Sequence, residues 1–109
     1  MTFRLLSTTV SNVIALRQTA EFARWMRLLR DRKAQAAIAK RIVRLQSGLS
    51  GDAKTVGAGI MEARIHLGPG YRLYYVLRGT DLIVLLCGGD KSTQNRDIAA
   101  ANSLAATLD

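Results

Sequence analysis

The stretch Glu62-Ala63-Arg64-Ile65-His66-Leu67-Gly68-Pro69-Gly70-Tyr71-Arg72-Leu73-Tyr74-Tyr75 decides the fold. Over residues 60–67, Met61, Ala63, Ile65 and Leu67 alternate with Glu62, Arg64 and His66, the period of two that puts neighbours on opposite faces of a strand. Over residues 71–78, Leu73, Tyr75 and Leu77 alternate in the same way with Arg72, Tyr74 and Val76. Between the two runs lies Gly68-Pro69-Gly70, a turn signal, so the whole reads as a β-hairpin. Side chains facing one another across such a hairpin stand about 4.5–5.5 Å apart, close enough for Arg64 and Arg72 to meet one anion.

Working outward, Gly79-Thr80-Asp81 makes the next turn, and residues 82–87 are apolar on both faces, as a central strand requires. Three strands in a row form an antiparallel meander. Upstream, residues 48–59 are a glycine-bearing loop with a short extended piece around residues 54–56. Residues 12–18 read as a further short strand. Thr19 can cap a helix in which Phe22, Met26 and Leu29 recur at i, i+4 and i+7, with Trp25 beside them. Asp31-Arg32 marks a break, and a second helix over residues 33–46 carries the stripe Ala34, Ile38, Ile42 and Leu45. Ser47-Gly48 ends it. Four of these side chains, Phe22, Met26, Ile38 and Ile42, would each contribute about 1.5–3 kcal/mol if buried, so the helical hairpin needs a sheet to cover. Gly88-Gly89-Asp90-Lys91-Ser92-Thr93 leads into a last helix with Ile98, Ala101, Leu104 and Leu108 on its buried line. The expected architecture is α+β, in the order β-α-α-β-β-β-α: an antiparallel sheet with an N-terminal helical hairpin and a C-terminal helix. Residues 1–12 lack periodicity and read as a poorly ordered extension or a misassigned start, leaving one domain over residues 13–109.

Composition bounds the function. A chain of 109 residues builds one core. The longest apolar run, residues 82–87, falls far below the roughly 18 residues of a membrane span. Cys87 is the one cysteine, which excludes an internal disulfide and a cysteine-rich zinc site and fits a reducing, cytoplasmic setting. The net charge of +8 is lopsided: residues 1–50 hold ten Lys/Arg against two acids, whereas residues 51–109 hold six of each sign. A basic half on a small chain implies an anionic partner: nucleic acid, an acidic protein segment or a membrane surface.

Metal catalysis, a nucleophilic triad, a Walker loop and a dinucleotide fingerprint all lack the residues they need. A basic constellation remains. Arg64 and Arg72 face each other, and Lys91 emerges where the central strand hands over to the last helix. Fixed cations of this kind can stabilise the charge that builds as a 2′-hydroxyl attacks phosphorus, each worth about 2.7–4 kcal/mol in comparable sites. Tyr71 and Tyr74 are candidates for base stacking or proton donation, although packing explains partly buried strand aromatics better. Glu62 reads equally well as a cross-strand ion-pair partner for either arginine. His66 shares their face, where a lone histidine is most simply a surface residue. Arg24, Arg27, Lys33, Lys40, Arg41, Arg44 and Lys54 complete the set of candidate phosphate contacts.

The segments 59–75 (GIMEARIHLGPGYRLYY) and 85–98 (LLCGGDKSTQNRDI), supported by 22–34 (FARWMRLLRDRKA), resemble the RelE/ParE toxin superfamily, in particular its HigB-like "addiction module killer" branch. The resemblance runs from about Val13 to the C-terminus. It implies the toxin of a type II toxin–antitoxin pair, neutralised by a cognate antitoxin of helix-turn-helix type. It also implies a ribosome-dependent endoribonuclease that cuts mRNA without metal or other cofactor. By motif position the resemblance assigns Arg64, Arg72 and Lys91 to the cleavage site; Tyr74, from its place on the strand of Arg72, is the candidate catalytic group added to them. At one place the chain departs from the pattern. Where the family carries a tyrosine near the start of the last helix, Gln94, Asn95, Arg96 and Asp97 stand here. The rival expectation is a ParE-like inhibitor of DNA gyrase on the same fold, or a binding module without activity.

Overall fold

The structure, a computed structural model, describes residues 13–108; the extension expected over residues 1–12 lies outside them. Its elements are β1 (Ala15–Gln18), α1 (Ala20–Leu28), α2 (Arg32–Gln46), β2 (Ala53–Thr55), β3 (Ile60–Ile65), β4 (Tyr71–Arg78), β5 (Leu82–Asp90), a 3-10 turn (Lys91–Thr93) and α3 (Gln94–Ala106). The strands form one five-stranded sheet in the order β1-β5-β4-β3-β2. The meander β3-β4-β5 is antiparallel as the hairpin pattern requires, and β2 adds to it antiparallel. Among the described residues no helix is long and apolar enough to cross a membrane.

Three features depart from the sequence reading. The extended piece expected around residues 54–56 is a full edge strand, β2, held by β3. The first strand, expected in an antiparallel sheet, pairs parallel with β5. The central strand does not end at Cys87 but runs through Gly88 and Gly89 to Asp90. Glycine pairs normally interrupt strands; here both are needed because other groups crowd the backbone from either side.

Helix ends are secured locally. Thr19 Oγ1 accepts from the Phe22 amide at 3.0 Å and donates to the Leu86 carbonyl, fixing α1 to β5. Asp31 Oδ1 accepts from the amides of Lys33 at 2.9 Å and Ala34 at 3.2 Å, satisfying donors that the first turn of α2 leaves unpaired. Replacing Asp31 by Ala is expected to cost about 1 kcal/mol, read as a fall in the urea midpoint; an unchanged midpoint would show the cap to be idle. Gln35 Nε2 donates to the carbonyls of Met26 and Leu29, closing the end of α1 onto α2.

The sheet is buried on both sides. The helical hairpin lays Phe22, Ala34, Ile38 and Leu45 on Ala63, Ile65, Leu73, Tyr75, Ile83 and Leu85. On the opposite face α3 packs Ala101, Ile98 and Leu104 against Ile60, Tyr74, Val76, Val84 and Leu86. The alternation of β3 therefore separates two cores, not a core from solvent. Glu62, on its polar side, is completely buried.

Candidate functional site

Strand register turns the even-numbered residues of β3 and β4 into rows across the α3 face. One row runs Lys54, Glu62, Tyr74, Cys87; the next runs Arg64, Arg72, Gly89. α3 begins at the first of these rows, where Gln94 Nε2 donates to Glu62 Oε2 at 2.9 Å. From there the helix extends towards Ile60, Val76 and Val84, while Asp97 of its first turn and Thr93 lie against Gly89 at the β5 end of the second row; the β3 end of that row, at Arg64, stays partly open. This end of the sheet holds the part-exposed Arg64, the nearly buried Arg72 and, just past the end of β5, the exposed Lys91. Lys91 stands beside the hairpin turn: a Cβ placed on Gly70 would lie 3.6 Å from the Lys91 Cβ. Gly70 also takes φ +80°, a left-handed conformation that glycine adopts without penalty.

Each arginine carries a carboxylate. Arg72 Nη1 donates to Glu62 Oε1 at 3.2 Å, and Arg64 Nη2 donates to Asp52 Oδ1 at 3.1 Å. The two differ in access, since 11% of the Arg72 side chain and 33% of the Arg64 side chain are exposed. Both Nε atoms are buried without a hydrogen-bond partner. Lys91 is exposed and has no ion pair among the described residues.

Glu62 is the hub. Its carboxylate accepts from Arg72, from the Tyr74 hydroxyl at 2.9 Å and from Gln94, so three elements meet on one buried group. Burial, and then the hydrogen bond to Glu62, push the Tyr74 phenol well above the ordinary tyrosine range. This corrects the expectation for Tyr74. Fully buried, and donating to a carboxylate, it can neither reach RNA nor act as a ready acid. Tyr71 is corrected likewise: it lies on the hairpin side of the sheet, nearly buried, edge-on to Trp25 with ring centroids 6.4 Å apart. Cys87 is inert core, its thiol pushed up to about 12, first by burial and then by Asp97 and Glu21.

Arg41 does structural work in place of the expected phosphate contact. Its guanidinium donates to the carbonyls of Ser50, Asp52 and Arg64 at 2.7–3.2 Å, tying the loop before β2 to β3. Arg24, Arg27, Lys33, Lys40 and Arg44 are exposed on the helical hairpin, and no ion pair holds them among the described residues. They lie on the opposite side of the sheet from Arg64, Arg72 and Lys91, so the structure gathers the cations into two surfaces rather than one. Lys54 is exposed on β2, in the row of Glu62.

Two roles in the site are not legible in the sequence. Asp52 sits in a glycine-rich loop with no pattern around it, and its contact with Arg64 depends on β2 joining the sheet. Gln94 stands where the family pattern has a neighbouring tyrosine, and its amide serves the buried Glu62. Grooves exist elsewhere, one of about 430 Å³ lined by Arg17, Arg78, Leu82, Val84 and Leu108. It lies at the other end of the sheet. The basic end is an open shelf, a shape suited to an extended polyanion.

The family described as "Phage derived protein Gp49-like" matches residues 24–105. An uncharacterised protein of Haemophilus influenzae is 47% identical over 95 residues, covering 87% of this chain and 96% of that one. Among solved structures, a chain of the toxin–antitoxin complex RelBE2 from Mycobacterium tuberculosis superposes with a TM-score of 0.59 at 23% identity, covering 72% of this chain and 99% of that one. At that identity the likeness is one of fold.

Proposed function

Because the chain belongs to the Gp49-like family and carries a RelE-type fold, we propose that it is the toxin of a type II toxin–antitoxin pair and a ribosome-dependent mRNA endoribonuclease. The observation that carries this reading is the end of the sheet where the register sets Arg64 opposite Arg72 and the hairpin turn brings Gly70 beside Lys91, three cations around one shelf. A guanidinium has five N–H donors, so one hydrogen bond to Glu62 or Asp52 fixes each arginine without exhausting it. The remaining donors can face a phosphodiester and stabilise the charge gained as the 2′-hydroxyl attacks, chemistry that asks for no metal or cofactor. The second basic surface, on the helical hairpin, suits ribosomal RNA phosphates in the cytoplasm. Its contacts should weaken steeply with salt, because each neutralised phosphate releases counterions. The neutralising partner would be a cognate antitoxin of helix-turn-helix type.

The test is translation-dependent cleavage in a cell-free system, with RNA ends mapped. The parent protein should cut ribosome-engaged mRNA, and Arg72→Ala combined with Lys91→Ala should slow cutting at least about a hundredfold. Equal cutting by that variant would remove the site assignment. Double-strand DNA breaks with intact mRNA would point to gyrase as the target.

A further inference from the structure

With Tyr74 and Tyr71 buried, the shelf needs another group to take a proton from the attacking 2′-hydroxyl. Its rows supply one. The β3–β4 pairing ends at Ile65↔Tyr71 and the chain then turns, Gly70 N donating to the Leu67 carbonyl at 3.1 Å, so His66 leaves β3 at the foot of the turn and Gly70, at its far end, lies beside Lys91. His66 and Lys91 therefore stand on either side of the hairpin turn, with Gly70, which has no side chain, next to Lys91. Two strand spacings separate them, about 10 Å from backbone to backbone, room for a ribose and its phosphate. Arg64 and Arg72 form the next row, on the inner side of this gap.

The imidazole is oriented. His66 Nε2 meets Asp52 Oδ2 at 2.5 Å, while the other oxygen of the same carboxylate holds Arg64 Nη2. The His66 hydrogen bond, followed by that of Arg64, keeps the Asp52 carboxyl below the usual range, so it is an ionised acceptor. A carboxylate that can only accept requires Nε2 to carry a proton, so in the neutral imidazole the lone pair is on Nδ1. The His66 side chain is 75% exposed, so a substrate can reach it. The charged groups around it are Asp52 from the loop before β2, Arg64 from β3, and Lys91 across the gap.

We propose that His66 is the general base of the cleavage reaction and that Asp52 is its positioning residue. The inference rests on the endoribonuclease reading above. His66 Nδ1 takes the proton of the 2′-hydroxyl as its oxygen bonds to phosphorus and the bond from phosphorus to the 5′-oxygen breaks. The departing 5′-oxygen takes a proton from the Lys91 ammonium. The products are a 2′,3′-cyclic phosphate and a 5′-hydroxyl, with imidazolium and neutral amine returning to their starting forms through solvent. One carboxylate thus sets both the base and a phosphate-binding arginine.

The experiment measures end-mapped cleavage by the full chain on translating ribosomes across a pH series. His66→Ala is expected to cut about a hundredfold more slowly and to lose the rising limb of the pH profile, and added imidazole should restore part of the rate. Asp52→Asn should slow cutting about tenfold without responding to imidazole, because the base is present but unheld. Arg78→Gln, at the other end of the sheet, should match the parent. If His66→Ala cuts within about threefold of the parent, or if imidazole leaves its slow rate unchanged, His66 is not the base and the endoribonuclease reading survives. If the parent itself does not cut, both readings fall together.

Discussion

Replacing Glu62 by Ala is expected to destabilise the fold by about 3–5 kcal/mol, a large share of the roughly 5–15 kcal/mol a domain of this size possesses. The carboxylate is completely buried and accepts from Arg72, Tyr74 and Gln94. Its removal leaves a nearly buried guanidinium without its counter-charge and a fully buried phenol without an acceptor, and stranded donors cost more than the hydrogen bonds themselves contributed. It also releases the first residue of α3 from β3. The urea midpoint should fall sharply, and amide exchange should quicken first at the start of α3. Removing the partners together separates charge burial from packing. Glu62→Met with Arg72→Met and Tyr74→Phe replaces the network with apolar volume and should recover much of the loss. A midpoint for Glu62→Ala within about 1 kcal/mol of the parent would mean that Arg72 swings into water at little cost.

This carboxylate also shows where sequence reading stops. The hairpin was legible because alternation and a Gly-Pro-Gly turn are local signals, and the observed register pairs Arg64 with Arg72 as that turn implies. Helix caps at Thr19 and Asp31 were open to the same local reasoning, although only Thr19 was named as one. Alternation tells which residues share a face but not what covers it. Glu62 and Arg64 share one face of β3, with His66 just past its end; α3 ends the exposure of the first, while the last remains in solvent. The difference is set by where a helix more than thirty residues downstream begins. Arg41 was misread for a related reason: an arginine on the polar side of a helix gives no local sign that carbonyls from a distant loop will meet it. Asp52 became part of the site through β2, a strand of three residues, too short to announce itself by periodicity.

Gly88 and Gly89, which by sequence lead from the central strand into the last helix, are part of the strand itself, and they carry the other large prediction. A Cβ on Gly89 would fall 1.7 Å from Asp97 Oδ2 and 2.8 Å from Thr93 Oγ1, while one on Gly88 would fall 2.4 Å from the Trp25 ring. The two glycines serve opposite faces of β5, letting α3 and α1 approach the same stretch of strand. Asp97 cannot easily yield, since it is buried and accepts from the Thr93 hydroxyl. Gly89→Ala should therefore cost about 3 kcal/mol, the upper end of ordinary overpacking, with a visibly lower melting temperature. The cause is testable by coupling. Asp97→Ala, destabilising alone, should be nearly harmless or stabilising when Gly89→Ala is already present, because the colliding carboxylate has gone. Additive losses in the double variant would place the penalty in the strand backbone instead. Function should follow the same geometry. Gly89 pairs with Arg72 and leads directly to Lys91, so a displaced β5 would move one cation of the shelf away from the others. Cleavage by folded Gly89→Ala should then fall more than its folded fraction accounts for, and Asp97→Ala should restore part of it.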